Sequence, residues 1–241
     1  LLESVSCTPG FSMKPSPKEQ HAVDIQICGF PERLEDVFAT LRRRRKTISS
    51  LTIRNVQAER LVALLTLLLE KNCCGAIEHI SAEVATKDQL ATLSRAIRCA
   101  RGLLSVKVSE GNNFSSNGEN ASPELILTDD WLRFVDSIGP SLLEFRFSSD
   151  CANDFSHDHV ARLLARCPAT RKISLIRVGE WSSDLLAILA NANRHWQEID
   201  LWGANFVNHN GLLTVLGMRS SRVSLEGRLV YPLPTRRSIV V

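Results

Sequence analysis

Short stretches in which apolar residues stand one apart return along the whole chain at nearly constant spacing. They read VDIQICGF (23–30), SLTIRNV (50–56), HISAEVA (79–85), SVKVSEG (105–111), EFRFSSD (144–150), KISLIRV (172–178), EIDLWGA (198–204) and RVSLEGR (222–228). Such alternation marks a strand with one buried face. Taking the first residue of each apolar pair as an anchor gives Ile25, Leu51, Ile80, Val106, Phe145, Ile173, Ile199 and Val223, with steps of 26, 29, 26, 39, 28, 26 and 24. A period held over most of a chain leaves few folds open. Each unit is then one supersecondary element that buries its apolar face only by stacking on a neighbour.

Between anchors the apolar period changes to three and four. Leu34/Val37/Phe38/Leu41, Leu61/Leu64/Leu65/Leu68, Leu90/Leu93/Ile97, Val160/Leu163/Leu164, Leu185/Ile188/Leu189 and Leu212/Val215/Leu216 each predict one face of a helix. Capping residues stand where these helices should begin: Thr86 with Gln89 three on, Thr128, Ser156, Ser182 and Asn208. Each unit therefore reads strand, turn, helix, turn. The predicted architecture is an α/β solenoid of about eight units with a parallel sheet on one face.

The pattern resembles the leucine-rich repeat family, and within it the cysteine-containing, ribonuclease-inhibitor-like type found in F-box-type receptors. In that type a helix often ends in Cys-Pro before an L-x-x-L-x-L strand. Cys167-Pro168-Ala169-Thr170-Arg171-Lys172-Ile173-Ser174-Leu175 has that spacing, with Thr170 where an apolar residue is usual, and Cys74 to Ile80 fits as well. Cys99 stands one residue further from its strand than the pattern asks, and the Asn or Cys usual after the strand is absent. The resemblance covers roughly 22–230. It implies a concave sheet face that binds protein.

The 39-residue step contains GNNFSSNGENASPE (111–124), and removing about 13 residues restores the period. It reads as a mobile insertion within the solenoid of 22–230. Residues 1–21 carry no repeat signal and read as a linker or irregular cap, and 231–241 as a C-terminal tail or cap over the last unit. No apolar run reaches the roughly 18 residues of a membrane span. Seven cysteines form no C-x-x-C pair, which gives no support to a zinc site and fits a reducing compartment, cytoplasm or nucleus. The first residue is Leu1, so a mitochondrial chain freed of its targeting peptide is an alternative.

Chemistry is thinly represented. Ser156-His157-Asp158-His159 holds two histidines two apart, which a helix points away from one another, so they do not share a metal. Ser156 reads as an N-cap. Cys167 has Arg166 beside it, yet lies at a helix C-terminus, where the dipole opposes a thiolate. The Gly-rich phosphate loops, the nucleophile elbow and the H-E-x-x-H zinc pattern do not occur. Arg42 to Lys46 is the one strong charge run and reads as the basic end of a helix. With a net charge of +3 and no interleaved aromatics, the sequence argues against nucleic acid as a partner.

What remains is surface. One residue before the anchor, four consecutive units carry Glu144, Lys172, Glu198 and Arg222, an alternation that neighbouring strands favour. Among outward positions after the apolar pair, Ile176 and Trp202 break an otherwise small or polar column. A large apolar pair rimmed by Arg146, Lys172, Asp200 and Glu198 has the composition of an interface hot spot. The expectation is a non-enzymatic protein-interaction module with no cofactor, metal or small-molecule substrate, working in an adaptor of the F-box-receptor kind. Alternatives are a structural or assembly subunit of a mitochondrial membrane complex, and a hydrolase using Cys167 or the His157/His159 pair.

Overall fold

In a computed structural model the chain is described at residues 11–15, 22–28, 47–54, 58–70, 74–110, 126–149, 155–176, 180–181, 183–192, 196–206 and 223–229. The strands are β1 (Phe11–Pro15), β2 (Ala22–Cys28), β3 (Thr47–Arg54), β4 (His79–Val84), β5 (Ser105–Glu110), β6 (Glu144–Ser149), β7 (Lys172–Ile176), β8 (Glu180–Trp181), β9 (Glu198–Phe206) and β10 (Val223–Leu229). The helices are α1 (Ala58–Glu70), α2 (Lys87–Cys99), α3 (Thr128–Ser137), α4 (His157–Arg166) and α5 (Ser183–Asn191). The 111–124 insertion, Arg42 to Lys46, the helices expected around Leu34 and Leu212, and 231–241 lie outside the described residues.

One sheet runs through the chain in the order β1-β2-β3-β4-β5-β6-β7-β9-β10, with the short β8 on β9. From β2 onward every pairing is parallel, and the anchors meet at each junction: Ile25↔Leu51, Leu51↔Ile80, Ile80↔Val106, Val106↔Phe145, Phe145↔Ile173, Ile173↔Ile199 and Ile199↔Val223. The period read from the sequence is thus the register of the sheet. β1 lies antiparallel on β2, from a segment with no repeat signal.

Strand order that advances in one direction, combined with right-handed crossovers, puts every connecting helix on the same side. Consecutive helices from α1 to α5 pack against one another accordingly. Burial along the strands follows. In β4, Ile80, Ala82 and Val84 are buried and His79, Ser81 and Glu83 are not; in β6, Phe145 and Phe147 are buried while Arg146 is exposed. The helices answer with Leu61, Leu64, Leu65 and Leu68, then Leu90, Leu93 and Ile97, then Val160, Leu163 and Leu164, all buried in one continuous core. Each such side chain contributes about 1.5–3 kcal/mol by leaving water.

The turns repeat as closely as the strands. Six residues before the anchor stand Cys74, Ala100, Gly139 and Cys167, whose carbonyls accept from Ile77, Leu103, Leu142 and Thr170 at 3.1, 3.3, 3.4 and 3.1 Å. Those four acceptors' partners, and Trp196 in the next unit, are all buried. Thr170 therefore occupies an apolar position, and its hydroxyl is satisfied by donating to Leu142 O at 3.1 Å. Ala100 fills the turn position that Cys99 misses, which leaves Cys99 exposed at the helix end.

Three buried polar residues share one cause. At the third position of α2, α3 and α4, Gln89, Asp130 and His159 turn back to accept the N-cap amide: Thr86 N–H to Gln89 Oε1 (2.9 Å), Leu127 N–H to Asp130 Oδ2 (3.1 Å) and Ser156 N–H to His159 Nδ1 (2.9 Å). A backbone amide only donates, so Nδ1 of His159 is bare and its ring proton sits on Nε2, facing Thr128 O at 2.9 Å. Thr86 completes a capping box by accepting from Gln89 N–H at 3.3 Å. Thr128 is the first helical residue of α3 and Leu127 its N-cap, one residue earlier than expected, with Asp130 reaching back to the Leu127 N–H.

The unit lengthened by the insertion is packed with aromatic rings. Trp131 meets Phe134, Phe147 and Phe155 edge-on with centroids 5.7, 4.8 and 5.7 Å away, and Phe155 stacks on Phe147 at 4.3 Å and on His159 at 5.0 Å.

Candidate functional site

Parallel sheets are ordinarily covered on both faces. Here the described helices cover one, and the side chains of the other form columns one strand apart. The column before the anchors reads Asp24, Ser50, His79, Ser105, Glu144, Lys172, Glu198. The next reads Gln26, Thr52, Ser81, Lys107, Arg146, Ser174, Asp200. These two columns are polar throughout, with charge concentrated from β5 to β9.

All six residues singled out from the sequence fall on the outward positions of the adjacent strands β6, β7 and β9. Lys172 faces Glu198, Ser174 faces Asp200 and Ile176 faces Trp202 in the register. Ile176 is half-buried. Trp202 is placed by its backbone, its side chain lying outside the described residues, as does Arg222.

Arg146 and Asp200 are joined across the intervening strand. Arg146 Nε donates to Ser174 Oγ at 3.1 Å, Ser174 Oγ donates to Asp200 Oδ2 at 3.0 Å, and Arg146 Nη2 reaches the same oxygen at 3.5 Å. Ser174, small enough to be bypassed, is the middle of this bridge and gave no signal in the sequence. Lys107 went unnoticed too. It stands directly opposite Arg146, an unfavourable like-charge pair. The two cations turn apart: Lys107 Nζ lies diagonally 3.0 Å from Glu144 Oε1, and Arg146 turns the other way, along its own column, to Asp200. Reading along the second column would have found Ser174 between Arg146 and Asp200, and reading the two columns together would have found Lys107 with Glu144.

Glu144 sits at the crossing of these columns. Burial alone pushes its carboxyl up, but hydrogen bonds from Lys107 and from Ser105 Oγ (3.0 Å), with the fields of Lys107 and Lys172, bring it below its ordinary value. Lys172 thus acts on Glu144 through its field, while the direct ion pair runs diagonally. On the helical side, Arg162 grips Asp136 with Nε at 2.6 Å from Oδ1 and Nη2 at 2.5 Å from Oδ2. That bidentate bond lowers the Asp136 carboxyl most; burial opposes it, and the fields of Arg162, Arg166 and Arg98 add to the lowering.

The two candidates for chemistry occupy structural positions. Cys167 caps α4 from the core, and its thiol donates to Gly139 O at 3.3 Å, the equivalent turn one unit earlier. His159 is the buried capping residue described above, while His157 points to Asp158 at 3.4 Å. Among the described residues no cluster of three or more His, Cys, Asp or Glu is placed to hold a metal ion, and no helix is long and apolar enough to cross a membrane.

No family model matches the chain, and no curated protein matches it. Among solved structures it is similar to a chain in the crystal structure of the Rad7 and Elc1 complex in yeast, at 15% identity and a TM-score of 0.47, over 80% of this chain and 48% of that one. The chain thus spans about half the length of that relative.

Proposed function

We propose that the chain is a leucine-rich-repeat-type solenoid of about eight units and a non-catalytic protein-binding module. Its uncovered sheet face, concave in that architecture, is the docking surface. The single observation that carries the reading is a parallel sheet with one face uncovered by the described helices, whose outward side chains are half-buried or exposed except at Ser105 and Ser174. The hot spot is the Ile176–Trp202 pair, with Arg146, Lys172, Glu198 and Asp200 as its polar rim. The Arg146–Ser174–Asp200 bridge supports this, since a rim whose charges are already held in place loses little side-chain freedom on binding. The role that fits best is partner recognition within an intracellular adaptor of the F-box-receptor kind, in cytoplasm or nucleus.

The experiment is quantitative capture from native lysate with the wild-type chain and with Ile176→Asp and Trp202→Ala, each checked for folding. Recovery of ubiquitin-ligase components that either substitution abolishes is the expected result. Trp202→Ala should weaken capture by about 2 kcal/mol or more. Recovery of a mitochondrial membrane complex, unaffected by both substitutions, would replace the reading with the assembly-subunit one.

A further inference from the structure

The strands run parallel and each described helix returns between two of them, so the units share two edges. One collects helix N-termini, with Asp88, Asp129 and Asp158 in the first turns of α2, α3 and α4. The other collects helix C-termini, turns and strand starts, and across the units of β5, β6 and β7 its composition is unusual. The turns 99–104, 138–143 and 166–171 contain Arg101, Arg166 and Arg171 and no Asp or Glu, and Arg98 stands in the last turn of α2. Among the other accessible residues there, Gly102, Gly139, Pro140, Ser141, Pro168 and Ala169 are small, Cys99 is exposed and Leu104 is half-buried.

In the middle of this surface Leu143 is 43% exposed, one of two large hydrophobic residues left exposed among the described residues. Its backbone is fixed from both sides. Leu143 N–H donates to Leu104 O at 2.8 Å, and Leu143 O accepts from Arg171 N–H at 2.9 Å and Lys172 N–H at 3.0 Å. Leu104, Leu143 and Arg171 therefore form a row at strand spacing of about 4.8 Å.

The arginines are anchored without being neutralised. Arg171 Nη1 donates to Pro168 O (3.1 Å) and Thr170 O (3.2 Å), and Arg166 Nη2 to Asp136 O (2.9 Å). Carbonyls hold the guanidinium heads in place; they leave the charge of Arg171 unbalanced, while Arg166 also has a long ion pair, Nε to Asp136 Oδ1 at 3.9 Å. The nearby carboxylate of Asp136 is already occupied by the two-pronged bond from Arg162. Arg101 is exposed and has no hydrogen-bond or ion-pair partner among the described residues.

We propose that this edge, distinct from the sheet face, docks an acidic protein segment bearing one large apolar side chain. The apolar side chain seats on Leu143 and its carboxylates pair with Arg101, Arg166 and Arg171, whose forked geometry suits bidentate binding of carboxylate. Charge complementarity sets the sign of the partner. The exposed leucine among Gly, Pro and Ala sets its class. A nucleic-acid surface would interleave aromatic rings for base stacking, and these three turns contain none.

The test is fluorescence polarisation with the full chain and three probes: a short acidic peptide with one central leucine, the same peptide with that leucine replaced by serine, and a single-stranded RNA of similar length. Saturable binding of the leucine peptide is expected, about tenfold tighter than the serine peptide and weakening as salt rises. Leu143→Ser should erase the difference between the peptides. Arg101→Glu and Arg171→Glu should each weaken binding about tenfold, with the thermal melt unchanged for Arg101→Glu, whose side chain is exposed. RNA binding as tight as the peptide's and indifferent to Leu143→Ser would overturn the proposal in favour of a phosphate-binding edge. Concentration-dependent sedimentation abolished by Leu143→Ser, with no peptide bound, would overturn it in favour of a second copy of the chain. Failure of the leucine peptide to bind at low salt would overturn it outright.

Discussion

His159 offers a sharp test of whether the units are equivalent in their chemistry as well as their backbone. Its Nδ1 accepts the N-cap amide of α4, its Nε2 donates to Thr128 O in the preceding helix, and its ring stacks on Phe155. His159→Ala removes both hydrogen bonds, worth about 1 kcal/mol each. It also empties a buried ring-sized site, adding about 1–2 kcal/mol even after partial collapse. The total is about 3–4 kcal/mol. His159→Gln should behave differently, because Gln89 already does this work at the same position of α2, accepting from Thr86 N–H at 2.9 Å. That variant keeps the cap and loses the link to Thr128 and the stacking, for about 1–2 kcal/mol. Urea unfolding gives both numbers from midpoints, provided the slope is unchanged. If glutamine destabilises as much as alanine, the repeated capping is not what holds this site.

Val108→Asp should prevent folding while Ser109→Asp, one residue on, changes stability by less than about 0.5 kcal/mol, since one faces the helices and the other solvent; circular dichroism and thermal melts distinguish them. Phe147→Ala should cost about 3–5 kcal/mol in urea unfolding, because it removes a ring packed against both Trp131 and Phe155. Asp136 and Glu144 both ionise more readily folded than unfolded, so each stabilises above its unfolded range, 3.8 for the first and 4.5 for the second, and that stability is lost as pH falls through the lower folded values. Asp136→Asn should therefore flatten the acid side of a stability–pH profile, by no more than about 1 kcal/mol for a pair this exposed.

The strands were the most legible part of the sequence because parallel stacking imposes one register on every unit. A residue in the wrong phase would turn its apolar side chains to the solvent face. Helix faces were legible for the same reason, as Leu61 through Leu68 and Leu90 through Ile97 illustrate. What escaped was whatever depends on a partner in another unit. Thr128 has the composition of a cap, yet the helix begins one residue earlier, at Leu127, whose N–H Asp130 accepts. Thr170 looked out of place until its hydroxyl found Leu142 O. The six face residues fall on three neighbouring strands; the bridge through Ser174 runs along one column past a small residue, and the pair of Lys107 with Glu144 joins adjacent columns, which a reading one column at a time misses. β1 escaped too, since FSMKP is short, ends in Pro15 and lies outside the repeat; it is held by antiparallel pairing with β2.

The most direct test of the central claim is site-specific photo-crosslinking in living cells. A photoreactive residue is placed in turn at Glu83, Ser109 and Ile176 on the sheet face, and at Arg95 and Arg133 on the helical face. The account predicts discrete crosslinks to one protein from the sheet positions, strongest at Ile176, and none to that protein from the helices. Crosslinks confined to the helical positions would contradict it.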